Sequence, residues 1–234
     1  MIKGLFPTGV AAVEAFDDAT PAPLYPEESA LLGNAVAKRR DEFATARRCA
    51  RQALGLLGHP PGPIMAGPRR EPLWPAGVTG AITHCAGYRA AVVARAGEFS
   101  TLGVDAEPHG PLPDGILETI AGPAERQHLA LLRRRHPAVH WDRLLFSAKE
   151  TVFKAWYPLT ERWLDFDEAT VTFDAGRATF AARLLVPGPV VGGIELGGFS
   201  GRWLVGRGLL VTGIAVAALR PAVTMHPLPD LIGY

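Results

Sequence analysis

Two carboxylates spaced two residues apart, and a third carboxylate followed one helical turn later by a lysine, are the groups of this chain best suited to chemistry. On a helical wheel, residues 141–156 split into an apolar side (Trp141, Leu144, Leu145, Ala148, Val152, Ala155) and a polar row, Arg143, Ser147, Glu150 and Lys154. Glu150 and Lys154 therefore project together. Taken alone, such an i,i+4 pair reads as a solvated ion pair worth about 0.3–0.5 kcal/mol. In Gly103-Val104-Asp105-Ala106-Glu107, at the end of an expected strand, alternation turns Asp105 and Glu107 to one face. That arrangement suits a hard divalent cation, because Mg²⁺ binds through one or two carboxylates plus waters and substrate phosphates. An isolated Asp-x-Glu triplet is a weak signal and is most often a solvated strand end.

Two further features can bind phosphate. Gly80-Ala81-Ile82-Thr83-His84-Cys85 is a β-like run that ends in a hydroxyl and an imidazole, with Cys85 reading as apolar filler rather than a nucleophile. Arginines stand at Arg39-Arg40, Arg47-Arg48, Arg51 and Arg69-Arg70, and guanidinium forks match phosphate bidentately. Ordinary solvation accounts for more than half of them. Arg133-Arg134-Arg135-His136 closes a helix and is explained by the helix dipole and solubility.

The elements that must position these groups follow from periodicity. Pro26-Glu27-Glu28 starts a helix predicted to run to about Leu57, with Phe43, Ala46, Ala50, Ala53 and Leu57 facing a core and Arg40, Arg47 and Arg51 on the neighbouring arc. A Pro/Gly-rich loop follows to Pro75, and then β-like runs at 81–83, 88–94 and 101–107, read as one small antiparallel sheet. Pro108 to Pro113 is a connector, so a boundary falls near 112. Beyond it come helices at 123–135 and 141–156 and strands at 170–173, 178–185, 202–205 and 209–219. The order of helices then strands occurs twice. An α+β fold of two similar halves, 1–112 and 113–220, is expected from this order, with 221–234 a loosely held tail.

Composition narrows the function. With 48% hydrophobic and 20% charged residues the chain is an ordinary globular sequence, and 24 Lys plus Arg against 23 Asp plus Glu leaves a formal charge of +1. No broad basic face for nucleic acid or a membrane surface is expected. The longest apolar run, 208–219, falls short of the roughly 20 residues of a membrane-spanning helix. No export signal is read at the start, and Cys49 and Cys85 read as reduced thiols, so a cytoplasmic location is expected.

These features occur in one order. Gly103-Val104-Asp105-Ala106-Glu107 is followed about forty residues on by Phe146-Ser147-Ala148-Lys149-Glu150-Thr151-Val152-Phe153-Lys154-Ala155, with Trp74-Pro75 and Gly80 to Cys85 upstream. Over about residues 25–220 this pattern resembles the 4′-phosphopantetheinyl transferase superfamily, in its larger, two-half type, and within it actinobacterial members of broad carrier range; the resemblance implies two pseudo-symmetric α/β halves with the active site at their interface. The resemblance implies transfer of the 4′-phosphopantetheine arm of coenzyme A to a serine of an apo acyl, aryl or peptidyl carrier protein, releasing adenosine 3′,5′-bisphosphate. The implied partners are carrier proteins of polyketide, nonribosomal peptide or fatty acid synthases, and the implied enzyme is a monomer of the holo-[acyl-carrier-protein] synthase type.

By the same resemblance Asp105, Glu107 and Glu150 bind Mg²⁺ or Mn²⁺. Glu150 also accepts the serine proton, and Lys154 stabilises the leaving phosphate. Thr83, His84, Lys149 and Lys154 contact coenzyme A, and Arg40, Arg48 and Arg69 or Arg70 contact its 3′-phosphate. Three departures stand out: Ala106 offers no ligand where some relatives carry glutamine, arginine replaces the lysine often found in the Gly67 to Pro72 loop, and Ala81 replaces a common serine. Two other classes fit these residues less well. A metal-dependent nuclease usually carries its Glu-x-Lys pair on a strand rather than a helix, and a non-catalytic binder of coenzyme A or carrier protein has no need of intact Asp105, Glu107, Glu150 and Lys154.

Overall fold

In the computed structural model, which describes residues 1–20 and 23–218, a 3₁₀ turn over Ile2–Leu5 leads into strand β1 (Ala11–Ala15). Helices α1 (Pro26–Ala30) and α2 (Ala37–Leu56) follow, then a short hairpin of β2 (Met65–Ala66) and β3 (Pro72–Leu73), and three longer strands, β4 (Val78–Cys85), β5 (Tyr88–Arg95) and β6 (Phe99–Pro108). The second part runs α3 (Ile116–Ile120), α4 (Pro123–Arg135), α5 (Trp141–Thr160), β7 (Ala169–Asp174), β8 (Thr179–Leu184), a short pair β9 (Val190–Val191) and β10 (Ile194–Glu195), then β11 (Gly198–Gly206) and β12 (Leu209–Ala217).

The single helix predicted from Pro26 to about Leu57 is two helices. Between them Gly33 takes φ +48°, and the Arg40 side chain turns back to donate to the carbonyls of Gly33 and Ala35. A second expectation is also corrected: β4, β5 and β6 do not form one sheet. The three-stranded sheet has the order β1-β5-β4, and β6 lies at the edge of a five-stranded sheet, β6-β12-β11-β8-β7, pairing antiparallel with β12 from Pro108 opposite Leu209 to Thr101 opposite Val216. The reason is burial on both faces. Leu102, Val104 and Ala106 are fully buried, and so is Thr101 on the alternate face, so β6 needs cover from both parts of the molecule.

Each part lays a helix on an antiparallel sheet, which gives the two-half α+β architecture. In the first, Cys49, Ala50, Ala53 and Leu54 of α2 pack on Ala91 and Val93 of β5. The alternate residues Ala90, Val92 and Ala94 face a second core shared with β6 and β12. In the second, Trp141, Leu144, Leu145, Ala148, Val152 and Ala155 of α5, the apolar side of the wheel, pack on Val171, Phe173, Phe180 and Ile214. The expected tail at 221–234 lies outside the described residues.

Candidate functional site

Close approach of α5 to β6 and β12 builds the candidate site. Gly103 makes it possible: a Cβ there would stand 2.3 Å from the Thr151 carbonyl oxygen, inside any tolerable contact. Hydroxyls take the place of apolar filling. Thr212 on β12 donates to the Ser147 carbonyl at 3.0 Å, and its oxygen in turn receives the hydroxyls of Ser147 at 2.8 Å and Thr151 at 2.6 Å. Thr101 donates to the Ala155 carbonyl at 2.9 Å. Ser147 therefore leaves the polar row: it is fully buried against β12, while Arg143, Glu150 and Lys154 remain on the side that looks over the end of β6.

At that end the carboxylates meet the helix cations. Asp105 is only 5% exposed, and its Oδ1 accepts from Lys154 Nζ at 2.7 Å and from the Thr83 hydroxyl at 3.2 Å. Its Oδ2 is buried and has no hydrogen-bond partner among the described residues. Glu107 accepts from Arg143 Nη1 at 3.0 Å. Burial and then the neighbouring charge of Asp105 push its carboxyl above the usual range, against the pull of Arg143 and Lys154. Glu150 is half-buried; burial raises its pKa, the charge of Asp105 adds to the rise, and Lys154 opposes it. Its carboxylate has no salt bridge among the described residues, Lys154 having turned to Asp105.

Does this set fit a divalent cation? No three His, Cys, Asp or Glu side chains among the described residues already enclose a metal position. Mg²⁺ does not require such a cage, since it keeps several waters and uses one or two protein carboxylates. An orphaned, buried anionic oxygen on Asp105 costs free energy that a cation or a bound water must offset, so the donor set fits.

The groups expected around phosphate divide in two. His84 at the exposed end of β4 receives a hydrogen bond on Nε2 from Arg39 Nη1. Partial desolvation of the ring, then the charges of Arg39 and Lys154, hold its pKa below the ordinary value. Arg69 lies over the Trp163 ring at 5.7 Å and so reaches from the β2–β3 loop to the second half, and Arg70 occupies the left-handed region at φ +66°. Arg48 has a buried Nε without a partner among the described residues, and so does the neighbouring Arg47, which is 5% exposed, stacks on Phe43 at 4.4 Å and has its pKa lowered to about 10 by burial.

Three residues expected to contact coenzyme A are engaged within the protein. Arg40 spends its guanidinium on the α1–α2 turn. Thr83 is 1% exposed and uses its hydroxyl on Asp105 and on the Ala106 N–H, which donates to it at 3.0 Å, so it orients the carboxylate. Lys149 is 5% exposed, and its ammonium is taken up by Glu125 at 3.0 Å and the carbonyls of Phe166 and Ala169 at 2.6 and 2.9 Å. It ties α4 and β7 to α5. Arg39 is the residue that sequence reasoning passed over; within the Arg39-Arg40 doublet nothing in the letters tells which arginine turns toward His84. Burial, then the charges of Glu107 and Asp105, push the Cys85 thiol up to about 12, which disfavours the thiolate a nucleophile would need.

Comparison with known proteins finds two matching family models. Residues 27–94 match the 4′-phosphopantetheinyl transferase N-terminal domain, and residues 101–190 match the 4′-phosphopantetheinyl transferase superfamily. The chain is 60% identical over 221 residues to 4′-phosphopantetheinyl transferase Svp of Streptomyces mobaraensis, covering 93% of this chain and 90% of that protein. It is 47% identical over 225 residues to 4′-phosphopantetheinyl transferase Npt of Nocardia iowensis, covering 93% and 100%. To 4′-phosphopantetheinyl transferase PptT of Mycobacterium tuberculosis it is 45% identical over 231 residues, covering 92% and 100%.

Proposed function

The chain belongs to the 4′-phosphopantetheinyl transferase superfamily, and from that premise we propose that it moves the 4′-phosphopantetheine arm of coenzyme A onto a serine of apo acyl, aryl or peptidyl carrier proteins. The observation that carries this reading is Asp105, buried with one oxygen unpartnered, set beside Glu150 and Lys154 of a helix that Gly103 allows to come close. Asp105, Glu107 and Glu150 would hold Mg²⁺ or Mn²⁺, which when bound neutralises charge on the coenzyme A pyrophosphate. The carrier serine oxygen bonds to the phosphorus that bears pantetheine, the bond from that phosphorus to the bridging oxygen breaks, and adenosine 3′,5′-bisphosphate departs.

Glu150 takes the serine proton, a task for a carboxylate that has no salt bridge of its own. Lys154 leaves Asp105 to meet the charge growing on the departing phosphate. His84 with Arg39, and Arg48, Arg69 and Arg70, are the cations proposed for the remaining phosphates, including the 3′-phosphate. By chain order the halves are proposed as 1–112 and 113–220. The partners are proposed to be carriers of polyketide, nonribosomal peptide or fatty acid synthases, and the enzyme to be a cytoplasmic monomer of the holo-[acyl-carrier-protein] synthase type. Among the described residues no helix is long and apolar enough to cross a membrane.

Intact mass spectrometry of an apo carrier incubated with the protein, coenzyme A and Mg²⁺ tests this. The expected result is a gain of one phosphopantetheine arm, abolished by EDTA and by replacing the carrier's serine with alanine. No gain on acyl, aryl and peptidyl carriers despite measurable coenzyme A binding would leave a binder, not a transferase. Within the same assay, Lys154→Ala should lower kcat about 100-fold, the scale of one lost charge-stabilising donor, while the Kd for coenzyme A changes far less. An equal loss in both would mean that Lys154 acts in ground-state binding instead.

A further inference from the structure

Two cations of α5 face the two carboxylates of β6, and they are held very differently. Lys154 touches Asp105 by one flexible ammonium and is 27% exposed. Arg143 is fixed on three sides: Nη1 donates to Glu107 Oε2 at 3.0 Å, Nη2 to the Pro111 carbonyl at 2.6 Å, and Nε to the Gly110 carbonyl at 3.4 Å. The same loop is tied to α5 a second time, where the Leu112 N–H donates to Asp142 Oδ2 at 2.9 Å. Its planar fork cannot follow Glu107 without giving up two backbone carbonyls. Arg143 also occupies only one oxygen of Glu107, leaving Oε1 free of it.

We infer that Arg143 is a positioning residue that fixes the orientation of Glu107 and thereby sets the affinity of the site for its divalent cation. This rests on the proposed metal reading of Asp105, Glu107 and Glu150. Groups that hold a metal-ligating carboxylate from behind usually contribute 10- to 100-fold to metal affinity or activity. Simple electrostatics makes the opposite forecast, since removing a positive charge beside a cation site should tighten it. The two ideas therefore differ in sign.

The test is Mn²⁺ titrated into the full-length protein, with and without coenzyme A, with free Mn²⁺ read by electron paramagnetic resonance. Arg143→Ala should weaken Mn²⁺ binding about tenfold, and carrier loading should show a raised KM for Mg²⁺ with kcat largely recovered at saturating metal. Arg143→Lys should recover part of the affinity, having the charge without the fork. Asp142→Asn weakens the other tie of the same loop and should leave Mn²⁺ affinity unchanged, which separates positioning of Glu107 from stapling of the loop. A folded Arg143→Ala protein that binds Mn²⁺ as tightly as the wild type, or more tightly, overturns the inference, and so does an Asp142→Asn loss equal to that of Arg143→Ala. Absence of Mn²⁺ binding by the wild type overturns the metal reading itself and the inference with it.

Discussion

Glu150→Gln should give a protein that melts with the wild type and loads carrier proteins about 1000-fold more slowly. The substitution keeps the shape of the side chain and its place on α5, so the packing of Ala148, Val152 and Ala155 into the core is untouched. It removes the anionic charge and the ability to accept a proton. General-base removal costs about 10²- to 10⁴-fold in rate, and Glu150 would also lose its part in holding the cation, so the middle of that range is a conservative expectation. Single-turnover loading at saturating Mg²⁺ and coenzyme A, alongside thermal melting, measures both quantities. Loading at the wild-type rate would remove Glu150 from the chemistry.

Gly103→Ala should be comparably severe for a mechanical reason. The new methyl group would meet the Thr151 carbonyl at 2.3 Å, Thr151 Cγ2 at 3.1 Å and the Ala155 Cβ at 3.2 Å. The first of these is helix backbone, which cannot swing aside as a long side chain would. Helix α5 must back away from β6 and strain the hydroxyl contacts around Thr212. Overpacking of this kind costs about 1–3 kcal/mol and more where backbone must move, which for a chain of this size lowers Tm by roughly 5–10 °C. Loading measured well below the new Tm should still fall by about 100-fold, because an ångström of misplacement between Glu150, Lys154 and the strand carboxylates is enough. Gly55→Ala is the matched control: it lies in α2 with no heavy atom within 4 Å of the added carbon. A Gly103→Ala protein with unchanged Tm and loading would mean that α5 is free to reposition.

Much of this geometry could be read in the letters, and where reading failed the cause is tertiary. Helix α4 begins at Pro123 and ends at Arg135 as its pattern predicts, and α5 starts at Trp141 and runs four residues past Trp156 to Thr160. Strand alternation put Asp105 and Glu107 on one face, and the wheel put Glu150 beside Lys154, because both depend only on backbone period. Strand β1 escaped notice because Ala11-Ala12-Val13-Glu14-Ala15 holds a single β-branched residue; it is a strand because Ala12 lies opposite Val92 in β5. The partner of β6 is a choice between sheets that no local pattern encodes. The hydroxyl of Ser147 assigns it to the polar side of the wheel, and only the presence of Thr212 on the facing strand makes that hydroxyl a core contact. The expectation for Lys149 comes from the family pattern and not from the wheel: successive helical residues point about 100° apart, so Lys149 turns away from Glu150, and Glu125 takes its ammonium.

Strand β6 follows β5 after a three-residue turn, yet its ladder belongs to β12, and the two family-model matches part at the same place, ending at 94 and resuming at 101. A chain severed at Gly97 would divide the proposed chemistry unequally. One fragment would keep Arg39, Arg48, Arg69, Arg70 and His84, the proposed grip on anions; the other would keep Asp105, Glu107, Arg143, Glu150 and Lys154, the proposed metal and proton chemistry. Neither piece is a small copy of the whole, so carrier loading by a mixture of the two would report their re-association, and the seam in this molecule is a natural place for a split reporter.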